Sequence, residues 1–124
     1  MIASQWQFER WVTDALDALP QQFQERLENI EVSVEDWPSR ALLDEMDIPD
    51  GQTLFGLYQG VPLTQRTSGY GMVPPDRITI YRGPIEEHCR TADEARAVVA
   101  HTVRHEIAHF FGISDERLDE LGAY

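Results

Sequence analysis

The chain has 124 residues, the length of one domain, and its 22 acidic against 10 basic residues leave a net charge of -12. A surface that acidic repels the phosphates of a nucleic acid and the anionic face of a membrane, so neither is expected as a partner. All ten basic residues are arginine, which leaves no lysine for a phosphate-binding P-loop or a Schiff base. With 42% hydrophobic residues the composition predicts one folded unit spanning residues 1–124.

At the N-terminus Phe8, Trp11, Val12, Ala15, Leu16 and Leu19 recur at helical spacing from Ser4 until Pro20 stops the pattern. This predicts an amphipathic helix, with Trp6, Phe8 and Trp11 as core packing. Glu9, Asp14 and Asp17 interrupt the stretch, so it reads as neither a signal peptide nor a membrane span. A short helical stretch over 21–27 follows, and Ile30, Val32 and Val34 then alternate with polar residues as in a half-buried strand. Ser39 after Pro38 predicts the N-cap of another short helix reaching Met46.

The segments Thr53 to Val61 and Arg77 to Arg82, rich in β-branched and aromatic residues, predict two further strands. Pro62 to Asp76, with its Gly, Pro, Ser and Thr, reads as a long functional loop between them. The single cysteine, Cys89, permits no internal disulfide, which makes the cytoplasm the expected compartment. Thr91 and Glu94 form a T-x-x-E capping box, and neither Gly nor Pro recurs before Gly112. A helix of about twenty residues follows from those signals. Ser114 then caps a last short helix through Leu121.

The long helix carries His105-Glu106-Ile107-Ala108-His109. Residues four apart lie one turn above each other on one face, so both imidazoles reach one metal, for which zinc is the expected ion. Glu106 stands beside that face, where it can take a proton from a metal-activated water. A zinc site needs a third protein ligand. His101 lies on the same stripe, but eight residues from His109 make roughly 12 Å of rise, so it reads as a flanking residue. Gly112 lets the chain turn back, which makes Asp115 the expected third ligand, with Glu116 and Asp119 as competitors.

The stretch from His105 to Asp115 matches H-E-x-x-H-x-x-G-x-x-D and resembles the zincins, in the variant where Asp replaces the third His of the metzincins. Together with LFGLYQGVPLTQR, ITIYRGPIE and ERLDELG, it is similar to the bacterial minimal zincin-like metallopeptidase family over most of the chain from Leu54 onward. The resemblance implies an α+β fold, with a mixed or antiparallel sheet of about three strands packed against helices and the H-E-x-x-H helix near the C-terminus. It also implies Zn²⁺ on His105, His109 and Asp115, with Glu106 as catalytic base.

The function expected is zinc-dependent hydrolysis of peptide bonds, with a peptide or protein substrate lying extended beside the strand Thr53 to Val61. Tyr70 and Tyr81 are candidates for an oxyanion donor, and Arg66 for a substrate carboxylate, although each also has an ordinary surface or core explanation. A metal- or peptide-binding module without catalysis is the first alternative. A metal-dependent endoribonuclease is the second, opposed by the base position of Glu106 and by the net charge.

Overall fold

In a computed structural model, which describes residues 2–27, 29–60 and 76–122, the chain opens on helix α1 (Gln5–Asp17). Ser4 caps it: the Ser4 hydroxyl accepts from the Gln7 backbone N–H, and the Gln7 side chain accepts from the Ser4 backbone N–H. A single turn, α2 (Gln21–Gln24), follows Pro20 and is shorter than the sequence suggests. Then come β1 (Ile30–Glu35), α3 (Arg40–Glu45), β2 (Gly56–Gln59), β3 (Asp76–Tyr81), α4 (Arg82–His88), α5 (Ala92–Phe111) and α6 (Asp115–Glu120).

The three strands form one mixed sheet in the order β1-β3-β2, with β1 parallel and β2 antiparallel to the central strand. The fold is therefore α+β, as the motifs imply. No helix among the described residues is long and apolar enough to cross a membrane.

Two departures from the sequence reading have clear causes. The strand expected over Thr53 to Val61 is formed only at Gly56–Gln59, with one further hydrogen bond from Tyr81 N–H to Phe55 O, because its partner β3 ends at Tyr81 and gives way directly to a helix. Val61 and the loop residues through 75 lie outside the described residues. That helix, α4, was hidden by Gly83-Pro84, a pair that reads as a breaker. Pro84 falls in its first turn, where the backbone N–H groups have no helical partner in any case, so the ring costs no hydrogen bond. A third correction concerns packing: Phe8 is fully buried and Trp11 partly so, but Trp6 is 69% exposed and contributes little to the core.

α5 organises the molecule. The Thr91 hydroxyl accepts from the Glu94 N–H, Asp93 and Glu94 favour the positive end of the helix dipole, and Gly112 ends the helix at φ 71°. The capping box is shifted, since the Glu94 carboxylate takes the N–H of Arg90 instead of that of Thr91. Ala95, Val99, Val103 and Ile107, four apart, make a stripe with no exposed surface, packed with Phe8, Val12 and Ala15 of α1 and Ile78 and Ile80 of β3 in one core. Burying each valine or isoleucine contributes about 1.5–3 kcal/mol, so this stripe holds the helix against the sheet.

Glycine permits one close approach that matters to the site. A Cβ built on Gly56 would lie 2.6 Å from Thr102 Cγ2 and 3.2 Å from Ile80 Cδ1, so only a bare backbone lets β2 lie this near α5. Gly56→Ala is expected to lower unfolding stability by about 1–3 kcal/mol, as overpacking does. Urea denaturation measures it, and an unchanged midpoint would mean that the strand moves freely away from the helix.

Candidate metal centre and its cleft

Helix geometry sorts the residues of α5 into adjacent stripes. Beside the core stripe run Thr102, Glu106 and Phe110, buried against the sheet, and beside those run His101, His105 and His109, which are partly or fully exposed. His105 and His109 stand with ring centroids 4.5 Å apart. His105, Glu106 and His109 each offer one ligand atom, and these atoms all lie within 4.8 Å of one another. Two zinc–nitrogen bonds of about 2.0–2.1 Å at a tetrahedral angle set their nitrogens somewhat closer than that, so small ring rotations bring both imidazoles onto one ion.

Each histidine has its Nδ1 beside a carboxylate. His105 Nδ1 is 2.8 Å from Asp115 Oδ2, a separation that fits a hydrogen bond and also two donor atoms turned toward one ion. His109 Nδ1 lies 3.3 Å from Glu106 Oε1. The converging group is His105, Glu106 and His109, and Asp115 touches it at His105, where a carboxylate serves either by orienting the imidazole or by joining it on the ion.

Asp115 reaches His105 because Gly112, in the left-handed conformation, reverses the chain after α5, and the Ser114 hydroxyl then caps α6 by accepting from the Arg117 N–H. Leu118, fully buried, pins the short helix in that place. Glu116 and Asp119 of the same helix are exposed, and it is Asp115 that meets the histidine. His101 lines the same cleft one turn before His105.

Glu106 is 5% exposed. Burial pushes its carboxyl above the ordinary carboxylate range, and nearby Asp115 adds to the rise. His109, His105 and the backbone N–H of Tyr58 pull the other way.

That N–H donor was not foreseen, because it depends on the register of β2. Tyr81 N–H donates to Phe55 O at 2.8 Å, which makes these two a hydrogen-bonded pair in the register that continues through Gly56↔Ile80 and Tyr58↔Ile78. Bonded pairs alternate along an antiparallel ladder, so Gly56 and Tyr58 turn their backbone groups to the outer edge of β2, toward α5. The only signal was the composition that predicted a strand over Thr53 to Val61, and composition does not say which set of backbone groups faces outward. The Tyr58 hydroxyl is occupied elsewhere, donating to the buried Asp76 carboxylate at 2.6 Å.

Gly56 lies against Thr102, and Tyr58 N–H meets Glu106. Four helical residues rise about 6 Å and two strand residues about 6.8 Å, so β2 and α5 run side by side in the same direction. Between them lies a cleft of about 430 Å³, with Thr53 to Leu57 on one wall and His101, Thr102, His105, Glu106 and His109 on the other.

The family model for zincin-like metallopeptidases matches residues 27–123 of this chain. The chain belongs to the zincin-like metallopeptidase family. No curated protein matches it.

Membership and the His-Glu-His group together assign this zincin a metallopeptidase type of chemistry. The donor set suits the metal: imidazole nitrogens and carboxylate oxygens converging beside a cleft are what Zn²⁺ takes in catalytic sites. Of the other residues considered from sequence, Tyr81 is buried at 3%, paired in register with Glu35, and is not among those lining the cleft. Burial and nearby Glu35 raise the pKa of its hydroxyl. Arg66 and Tyr70 lie outside the described residues.

Proposed function

We propose that this zincin is a zinc-dependent peptidase in which His105, His109 and Asp115 hold the metal and Glu106 is the general base. The observation that carries the reading is the position of Glu106: a buried carboxylate, 3.3 Å from His109, set between two imidazoles and the outer edge of a strand. Zinc bound there supplies a Lewis acid for the attacking water and the scissile carbonyl.

The remaining steps belong to the chain's own residues. A peptide extended along the outer edge of β2 pairs with the backbone groups of Leu54 and Gly56, since that of Tyr58 is already engaged by Glu106. Glu106 takes the proton of the attacking water on a carboxylate oxygen. Its raised proton affinity makes it a better acceptor than an exposed glutamate, and the same proton is then delivered to the leaving amine. The Tyr58 N–H and the His109 ring hold the carboxylate in one orientation through both transfers.

Metal analysis of the purified protein, followed by a screen of blocked peptides with added Zn²⁺, tests the reading. One zinc per chain and cleavage abolished by a chelator are the expected results. Stoichiometric zinc with no cleavage of any peptide would instead favour a metal- and peptide-binding module, and failure to retain any zinc would remove the basis of the proposal.

A further inference from the structure

Beyond the metal centre, the cleft has a second part whose chemistry differs from the rest of the surface. Leu54 and Phe55, which precede Gly56 on β2, stand at its N-terminal end alongside His101, and Met46 lines the same cleft. In a chain of net charge -12, Glu106 is the one acidic residue among the described residues that line the cleft, and no arginine is among them. A cleft built to recruit a basic side chain would carry acids at this wall, and an acidic side chain would need arginines. Neither is there.

The wall has a firm side and an adaptable one. The Phe55 ring is held by His88, with centroids 5.2 Å apart. Met46 is the C-cap residue of α3, a helix with no buried residue, and the methionine is itself 44% exposed. An unbranched thioether of this kind reshapes itself around whatever apolar group enters.

Because β2 and α5 run in the same direction, the distance from this wall to the metal pair can be counted in peptide residues. His101 precedes His105 by one turn, about 6 Å, and Leu54 precedes Gly56 by two strand residues. An extended peptide covers that distance in about two residues.

We propose that Met46, Leu54 and Phe55 form a specificity subsite that seats a large apolar side chain of the peptide, within two residues of the bond that is cut. The assignment rests on the peptidase reading given above and adds to it the class of substrate. Moving a leucine- or phenylalanine-sized side chain out of water onto such a wall is worth about 10-fold or more in selection over glycine.

The test is a library of blocked peptides given to the zinc-loaded protein, with cleavage positions read by mass spectrometry. Phe, Leu and Met are expected to be enriched about 10-fold over Gly, Asp and Arg at one position within two residues of the cut. In Met46→Glu that enrichment is expected to collapse while Arg and Lys gain, and Met46→Leu is expected to keep it. Zinc content and melting temperature should stay unchanged in both variants, because residue 46 is exposed and touches no proposed ligand. Cleavage with no side-chain preference, or a preference that Met46→Glu leaves intact, overturns the subsite.

If the wild-type protein cleaves nothing, the hydrolytic reading fails, and the subsite is tested by calorimetry on zinc-loaded Glu106→Gln. Acetyl-Gly-Gly-Phe-Gly-Gly-amide should then bind about 10-fold more tightly than its all-glycine counterpart, a difference lost on adding Met46→Glu. Equal binding of the two peptides overturns the subsite independently of catalysis.

Discussion

Glu106→Gln is expected to bind zinc as the unaltered protein does and to lose roughly 10²–10⁴-fold in kcat, the usual contribution of a positioned base. The amide keeps the shape of the side chain, and its oxygen still accepts the Tyr58 N–H. What it loses is the capacity to take and return a proton. The same substitution should stabilise the metal-free protein, for a reason that can be traced through pH.

Burial raises the Glu106 pKa in the folded state above its unfolded value. The folded chain therefore holds that proton more tightly, and its favourable contribution is complete below the unfolded pKa and lost as pH rises through the folded one. At neutral pH the wild-type apoprotein carries the cost of a buried carboxylate that glutamine does not. Thermal melting of the two apoproteins should thus diverge as pH increases from the carboxylate range to neutrality, with Glu106→Gln the more stable. Turnover equal to wild type would mean that another group activates the water. Identical melting curves at every pH would mean that the buried carboxylate is relieved in some other way.

The second large effect is expected at Asp115. Asp115→Ala should weaken zinc binding by more than about 100-fold, exceeding the 10–100-fold typical of a residue that only orients a ligand. It removes both a proposed metal ligand and the carboxylate 2.8 Å from His105 Nδ1. His101→Ala, by contrast, alters a side chain one turn before His105 that is no proposed ligand, and should change affinity by no more than about 10-fold, the low end for a residue beside the ligands. Competition against a chromophoric chelator measures both. A loss confined to the range of an orienting residue would assign Asp115 that lesser role, and a larger loss in the His101 variant would reassign the third ligand. In the unaltered protein zinc retention should fall on acidification, because imidazole and carboxylate bind a metal only without their protons.

Much of this arrangement was legible without coordinates because it is local. The caps Ser4, Ser39, Thr91 and Ser114 each sit where a hydroxyl meets a backbone N–H three residues on, a relation contained within four residues of chain. The pairing of His105 with His109 is equally local, since the pitch of a helix alone puts them on one face. Asp115 needed one further step, the turn at Gly112, and that too is a short-range consequence of a residue that tolerates positive φ.

What escaped the sequence reading lies in contacts between distant segments. α4 was obscured because local rules read Gly83-Pro84 as punctuation, whereas the buried Ile85 anchors that turn into a core assembled from α1, β3 and α5. Trp6 looked like core because it is aromatic and near Phe8, but the face of α1 that meets α5 is centred on Phe8, Val12 and Ala15.

The amino-acid sequence by itself determined the long helix, its histidine stripe and the turn that returns Asp115, all of them products of spacing along a single stretch of chain, while the α+β class followed from the family resemblance. Only the tertiary structure decided that the outer edge of β2 gives its Tyr58 N–H to Glu106, that Gly56 brings strand and helix together, and that Met46 and Phe55 wall the cleft beside them. The physical reason is that strand register and burial are set by partners far apart in the chain, while a helix carries its own hydrogen bonds within each turn.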